Sequence, residues 1–153
     1  MNKPSILIVD DEKDFADAIT ERLRVAGYES ETCYNAKCAW NLIKEKNYDV
    51  VIQDLVMPEA DGITSMHKIK AIKPLIEIIV LSGQETVQMA VDAMKEGAFE
   101  YLEKPCEMAV VISKIQEAYQ RKYDHEHRIR KAMERAREIM ETTMVTATFS
   151  KKV

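Results

Sequence analysis

The 153-residue sequence contains few residues that interrupt regular structure, with only four glycines and four prolines. Neither residue type occurs between Cys106 and Val153, so nothing in that stretch breaks a helix. No apolar run approaches the roughly 20 residues that a membrane-spanning helix requires. The N-terminus leads directly into a predicted strand, with no signal peptide. These absences predict a cytoplasmic protein that does not associate with a membrane.

Cysteine is also scarce. Cys33, Cys38 and Cys106 are odd in number and lack the spacing of a metal site. In a reducing cytoplasm we expect all three to be free thiols.

Charge is distributed unevenly along the chain, although the net charge is only -4. Residues 1–119 contain 13 Lys and Arg against 21 Asp and Glu, whereas residues 120–153 contain 9 against 5. An acidic body and a basic tail indicate two regions with different roles. We expect a domain over residues 1–120, a helical extension over 121–144, and a frayed or disordered tail over 145–153.

Short β-branched runs alternate with amphipathic stretches of ten or more residues. This βαβ pattern predicts the α/β class, with a parallel sheet covered by helices on both faces. The predicted strands are 5–9, 28–34, 50–53, 78–81 and 99–102. The predicted helices are 14–26, 36–46, 62–72, 85–95 and an extended last helix from about Cys106 to Met144.

Functional side chains follow four of these strands. Asp10 and Asp11 follow the first strand, Asp54 the third, Ser82 the fourth and Lys104 the fifth. Ligands of open α/β sheets bind outside the carboxyl ends of the strands. Neighbouring carboxylates repel each other unless a cation lies among them, and oxygen ligands of this kind suit Mg²⁺.

The complete set of motifs resembles the receiver domain of bacterial two-component response regulators. It consists of Asp10-Asp11, Asp54 with Met57-Pro58 and Gly62, Ser82-Gly83, and Lys104-Pro105, and it spans about residues 4–120. The resemblance implies a flavodoxin-like, doubly wound, five-stranded parallel sheet with strand order 2-1-3-4-5. It also implies that a sensor histidine kinase or phosphotransfer protein donates a phosphoryl group to Asp54.

The resemblance further assigns a role to each site residue. Asp54 is the nucleophile, while Lys104 and Ser82 contact the phosphoryl oxygens. Mg²⁺ is held directly by Asp11, Asp54 and the backbone carbonyl of Val56, and through water by Asp10.

The resemblance also implies that Ser82 and Tyr101 form a switch pair that reshapes a protein-interaction face. A cis peptide is expected before Pro105. We expect self-catalysed phosphotransfer and slow autodephosphorylation rather than enzymatic turnover.

The last helix has an apolar stripe beyond the predicted domain, formed by Ile129, Met133, Ala136 and Met140. The two preceding positions of this repeat, Lys122 and Glu126, are polar. An exposed apolar stripe needs a partner, and we expect a homodimer through this helix.

Two other functions fit parts of the sequence. The chain could be the N-terminal receiver of a DNA-binding transcription regulator, in which case nucleic acid would be bound by an output domain. Basic residues of the tail alternate with glutamates, which suits a salt-bridged helix better than a phosphate-binding face. A Mg²⁺-dependent phosphatase with an aspartyl nucleophile is the second alternative, but such enzymes carry an acid where this chain has Val56.

Overall fold

The structure is a computed structural model that describes residues 3–57, 60–83 and 87–152. Pro58 and the predicted helix start at Glu85 lie outside these residues. The elements follow one another as β1 (Ser5–Val9), α1 (Lys13–Val25), β2 (Glu29–Cys33), α2 (Ala36–Glu45), β3 (Val50–Gln53), β4 (Val56–Met57), β5 (Ala60–Asp61), α3 (Gly62–Ile72), β6 (Glu77–Ser82), α4 (Val87–Lys95), β7 (Glu100–Glu103) and α5 (Met108–Lys152).

Five parallel strands form the main sheet in the order β2-β1-β3-β6-β7. This confirms the predicted fold and strand order, because β6 and β7 are the fourth and fifth strands of this sheet. The short strands β4 and β5 form a separate antiparallel pair. Every residue of β3 and β6 is buried, as expected for central strands covered on both faces.

Side chains alternate between the two faces of the sheet and build one apolar cluster on each. Leu7, Val51 and Ile78 belong to the first cluster, which also includes Met66 and Ile69 of α3. Ile6, Val50 and Ile79 belong to the second cluster, which α1 and the start of α5 complete. The sheet is therefore held rigidly from both sides, which fixes the positions of its strand ends.

Cys33 and Cys38 form a disulfide bond, so the prediction of three free thiols is wrong for this pair. Cys33 ends β2 and Cys38 lies in the first turn of α2. Asn35 caps α2, accepting a hydrogen bond from the Cys38 backbone nitrogen at 2.8 Å. This tight connection brings the two Cα atoms to 5.7 Å, which is within reach of a disulfide. Cys106 is a free thiol.

The chain divides into two compact units, Met1–Lys122 and Tyr123–Val153. The second unit is helical through Lys152, so the segment from residue 145 is not frayed as the sequence predicted. Its threonines fit a helix because Thr146 and Thr148 donate to the carbonyl oxygens of Thr142 and Met144. No helix within the described ranges is long and apolar enough to cross a membrane.

Candidate functional site

The four predicted strand-end groups meet at one edge of the main sheet. Asp10 follows β1, Asp54 follows β3, Ser82 ends β6 and Lys104 follows β7. The first three are buried, with exposed fractions of 2%, 5% and 0%. Polar groups in such surroundings must pair with one another, and their pairing defines the site.

Lys104 is the cation at the centre of this site. Its Nζ lies 2.6 Å from Oδ2 of Asp10, 3.4 Å from Oδ2 of Asp54 and 3.5 Å from Oε1 of Glu12. Its backbone nitrogen donates to the Ser82 carbonyl oxygen at 3.0 Å, and the peptide bond to Pro105 is cis as predicted. Lys104 therefore neutralises part of the charge of the carboxylates.

The two oxygens of Asp54 have different surroundings. Oδ1 accepts hydrogen bonds from the Ser82 hydroxyl and, at 3.0 Å, from the backbone nitrogen of Val56. Oδ2 faces the Lys104 ammonium. The carboxylate is thus held in one orientation by three donors from three segments of the chain.

Protonation at the site is governed by burial and by the Asp10–Lys104 pair. Burial raises the pKa of Asp10, and the hydrogen bond from Lys104 offsets only part of this effect. Burial also acts to lower the pKa of Lys104, but the hydrogen bond and charge of Asp10, with the charges of Asp54 and Glu12, outweigh it and raise this pKa. Lys104 is therefore a cation at neutral pH.

Three carboxylates form a group that could hold a metal ion. One oxygen from each of Asp10, Glu12 and Asp54 lies within 4.8 Å of the others. A donor set made only of oxygens fits Mg²⁺. The predicted ligand Asp11 is not part of this group, whereas Glu12, which the sequence analysis did not assign, is. Glu12 directly follows Asp10 and Asp11 at the end of the first strand, and this position could have identified it as a ligand candidate.

Two further residues near the site were not assigned a role from the sequence. The ring of Phe15, on α1, lies beneath Lys104, with Nζ 4.2 Å from the ring centroid. Gln53, directly before Asp54, is fully buried.

The predicted switch residue Tyr101 lies on β7, next to the strand that ends in Ser82. It pairs with Val80 of β6, whereas Ser82 pairs with Glu103, two residues further along β7. Tyr101 is half-buried in the structure.

A parallel sheet with a buried aspartate, a paired lysine and a hydroxyl at its carboxyl edge defines a class of phosphoacceptor signalling domains. The model of the response regulator receiver domain family matches residues 6–116, and the chain belongs to this family. It is a receiver domain of the kind that acts in two-component signal transduction.

Curated relatives and solved structures agree with this assignment. The DNA-binding transcriptional regulator NtrC of Azospirillum brasilense is 36% identical over 118 residues, which are 77% of this chain and 24% of that protein. A response regulator receiver domain protein from Clostridium thermocellum is 36% identical with a TM-score of 0.74, covering 78% of this chain and 96% of that one. The beryllofluoride-activated NtrC4 receiver domain dimer is 33% identical with a TM-score of 0.73, covering 77% and 98%.

The curated relatives are much longer than the matched region. The chain spans about a quarter of the length of the NtrC relative. The family assignment therefore applies to the receiver domain and not to the complete relatives.

Proposed function

We propose that this receiver accepts a phosphoryl group on Asp54 from the phosphohistidine of a sensor kinase or phosphotransfer protein. The observation that carries the proposal is the fixed orientation of the Asp54 carboxylate by Ser82, Val56 and Lys104. Phosphoryl transfer depends mainly on positioning and on neutralising charge on the transferred oxygens. This site provides a held nucleophile, a nearby ammonium and a hydroxyl donor.

In the reaction, a carboxylate oxygen of Asp54 attacks phosphorus and the bond from phosphorus to the histidine nitrogen breaks. Lys104 then pairs with a phosphoryl oxygen, and the Ser82 hydroxyl turns from Asp54 to donate to another. Both residues already contact Asp54, so neither has to travel far. The product is an acyl phosphate on Asp54.

The residues at the site also fit Mg²⁺. Asp11, Asp54 and the Val56 carbonyl would hold the ion, with Asp10 acting through water. When bound, Mg²⁺ supplies positive charge to the phosphoryl oxygens. Glu12 belongs to the carboxylate group in the structure, which makes it an additional candidate to hold the ion or its water.

A labelling experiment tests the assignment of Asp54. With a radiolabelled small phosphodonor such as acetyl phosphate and with Mg²⁺, the wild type should take up label that acid, base and hydroxylamine all release, as expected of an acyl phosphate, and Asp54→Ala should take up none. Asp14→Ala removes an exposed carboxylate of α1 and should label like the wild type. Equal labelling of Asp54→Ala and wild type would refute the assignment.

We propose that phosphorylation is transmitted through Ser82 and Tyr101. When the Ser82 hydroxyl moves toward the phosphoryl group, it vacates space on β6, and the half-buried Tyr101 ring on the adjoining strand rotates inward. This changes the surface formed by α4, β7 and the first turns of α5. The local change at Ser82 would thus shift the Tyr101 ring between an outward and an inward position.

We also propose that the chain forms a homodimer through its last helix. Within Tyr123–Val153, the residues Ile129, Met133 and Met140 are 47%, 63% and 65% exposed. They recur at the spacing of a coiled-coil seam. The receiver dimer of NtrC4, in its beryllofluoride-activated form, supports association of a related domain.

Sedimentation with and without beryllofluoride tests the dimer. We expect stronger association with beryllofluoride, and loss of association in Ile129→Lys with Met133→Lys. Val145→Lys with Phe149→Lys is the matched control, because these exposed residues lie on the opposite side of the same helix. A monomer in both states at tens of micromolar would refute the proposal.

A second candidate function is control of transcription as the receiver of a DNA-binding regulator. The relative NtrC, which is described as a DNA-binding transcriptional regulator, favours it. In that case nucleic acid would be bound by a separate output domain. A mobility-shift assay at 150 mM salt tests this, and we expect that this chain alone does not retard DNA. Retardation would instead show that the basic tail of this chain binds nucleic acid itself.

A further inference from the structure

Gln53 has a side chain that the phosphotransfer chemistry above does not use. It is fully buried at the end of β3, level with Val9 and Val80 on the two neighbouring strands. Because side chains alternate along a strand, Gln53 shares the sheet face of Val51, which belongs to an apolar cluster. An amide in such surroundings is unfavourable unless its polar atoms have partners.

The amide nitrogen of Gln53 has such a partner. Nε2 donates to the carbonyl oxygen of Gly62 at 3.2 Å. A carbonyl can only accept, so this contact fixes which end of the amide faces Gly62. Oε1 is buried and accepts no hydrogen bond from the residues that the structure describes. An unpaired buried acceptor lowers stability, so packing alone does not explain a glutamine here.

Gly62 is the point where the loop after Asp54 closes. It begins α3, and its backbone nitrogen donates to the Leu55 carbonyl oxygen at 3.2 Å. A Cβ atom on Gly62 would lie 2.5 Å from the Leu55 Cα atom, so the two backbones are in direct contact. The hydrogen bond from Gln53 to the Gly62 carbonyl oxygen is therefore a second connection between the end of β3 and the start of α3.

We propose that Gln53 is a positioning residue, whose amide holds the start of α3 against the end of β3 and so fixes the loop that carries Val56. The inference rests on the proposed function, in which Asp54 and the Val56 carbonyl hold Mg²⁺. The Val56 backbone already contacts Asp54 through its nitrogen. Mg²⁺ requires nearly ideal octahedral geometry, so a small movement of Val56 relative to Asp54 weakens binding.

Two substitutions separate the hydrogen bond from side-chain volume. Gln53→Met keeps the length of the side chain and removes the amide, whereas Gln53→Asn keeps an amide that is too short to reach Gly62. Both should raise the dissociation constant for Mg²⁺ by about tenfold, the lower end of the effects seen when supports of metal ligands are removed. Titration calorimetry with magnesium chloride on the unphosphorylated protein measures this.

Gln116→Met is the matched control. It removes another glutamine amide, whose Nε2 donates to the Tyr28 hydroxyl at 3.2 Å and which lies on α5 away from the strand-end site. It should leave the Mg²⁺ dissociation constant unchanged. If Gln53→Met and Gln53→Asn lower only the melting temperature and bind Mg²⁺ as tightly as the wild type, Gln53 is structural and the inference is overturned.

A second measurement does not depend on the stability of the variants. In NMR spectra of the wild type without metal, the side-chain NH₂ protons of Gln53 should exchange slowly with solvent, and fast exchange would overturn the inference. Wild-type protein that binds no Mg²⁺ would instead contradict the proposed function. Wild-type binding with equal binding by both Gln53 variants would contradict only the role of Gln53.

Discussion

The Lys104 ammonium lies over the face of the Phe15 ring, with Nζ 4.2 Å from the ring centroid. The lysine therefore has an aromatic ring beside it as well as the carboxylates of Asp10 and Asp54. The face of an aromatic ring carries partial negative charge and attracts a cation most strongly where water is scarce. The Lys104 side chain is only 10% exposed, so the ring helps to keep the ammonium charged and in place.

Replacing Phe15 by Leu should weaken this arrangement. We expect the free energy of unfolding to fall by about 1–3 kcal/mol, of which the cation–π contact accounts for up to ~2 kcal/mol. Labelling of Asp54 should slow several-fold because Lys104 is held less firmly. Chemical denaturation and the labelling assay measure the two effects, and Phe15→Trp should retain both properties.

A double-mutant cycle isolates the contact from the loss of ring volume. Phe15→Leu is combined with Lys104→Met, and a coupling of about 1–2 kcal/mol in stability is expected for this half-buried pair. If the two changes are additive in stability, the ring only fills space and the proposed interaction is absent.

The Asp10 carboxyl should make stability depend on pH. Burial raises the pKa of Asp10 in the folded protein, so the folded state holds this proton more tightly than the unfolded state. The stabilisation that protonated Asp10 gives to the folded state is complete below about pH 3.8, the pKa of this carboxyl in the unfolded chain. It is lost as the pH rises through the folded pKa, above which the buried charge opposes folding.

Asp10→Asn removes this buried charge. At pH 7 without divalent ions it should melt higher than the wild type by about 2–4 °C, the change expected for ~1 kcal/mol in a domain of this size. The difference should shrink as the pH falls toward 4. Adding Mg²⁺ should stabilise the wild type more than the variant. Thermal unfolding followed by circular dichroism across this range decides the matter, and a lower melting temperature at pH 7 would contradict the argument.

The sequence revealed the site because its residues follow recognisable strands. Asp10 and Ser82 come directly after apolar runs, and Asp54 and Lys104 come one residue later, after Gln53 and Glu103. Parallel strands bring such positions together. Phe15 gave no comparable signal, since a phenylalanine on the inner face of an amphipathic helix is indistinguishable from a core residue. The disulfide of Cys33 and Cys38 depends on the shape of the β2–α2 connection, which residue spacing alone does not determine.

The last helix also contains a contact that the sequence could not predict. Lys122 interrupts the apolar repeat, and the structure supplies a reason. Its Nζ lies 3.0 Å from Oδ1 of Asp49, whose other oxygen accepts a hydrogen bond from the Ser5 backbone nitrogen. This contact spans 73 residues along the chain, so no local pattern could predict it. The first unit ends at this residue.

Gly62 should not tolerate any side chain. A Cβ atom there would lie 2.5 Å from Leu55 Cα and 2.7 Å from its carbonyl oxygen, and neither backbone atom can move away freely. Gly62→Ala should therefore lower the free energy of unfolding by roughly 2–4 kcal/mol. Gly83→Ala is the control, because its Cβ would meet only the Lys104 side chain at an ordinary 3.5 Å. Denaturant unfolding compares them, and equal stabilities would show that the loop rearranges easily.

Val56 should make the phosphorylated protein long-lived. The residue is 45% exposed, and its backbone nitrogen donates a hydrogen bond to the Asp54 carboxylate. Hydrolysis of an acyl phosphate requires a water aligned for attack on phosphorus, and an apolar side chain cannot orient one. We therefore expect the isolated protein to lose its phosphoryl group over minutes or longer. Gln84, whose amide the sequence suggests as a possible second group for this water, lies outside the described residues.

Val56→Asn places an amide where it can bond to the attacking water and should shorten the phosphoryl lifetime several-fold. The effect should be smaller than that of a general base, because an amide orients the water without taking its proton. Val56→Ile keeps an apolar side chain and should leave the lifetime unchanged. Decay of radiolabel from phosphoprotein that has been separated from the phosphodonor, with Mg²⁺ present, measures all three proteins. A wild-type half-life of seconds, or equal lifetimes for the wild type and Val56→Asn, would show that a group other than residue 56 controls access of water to the acyl phosphate.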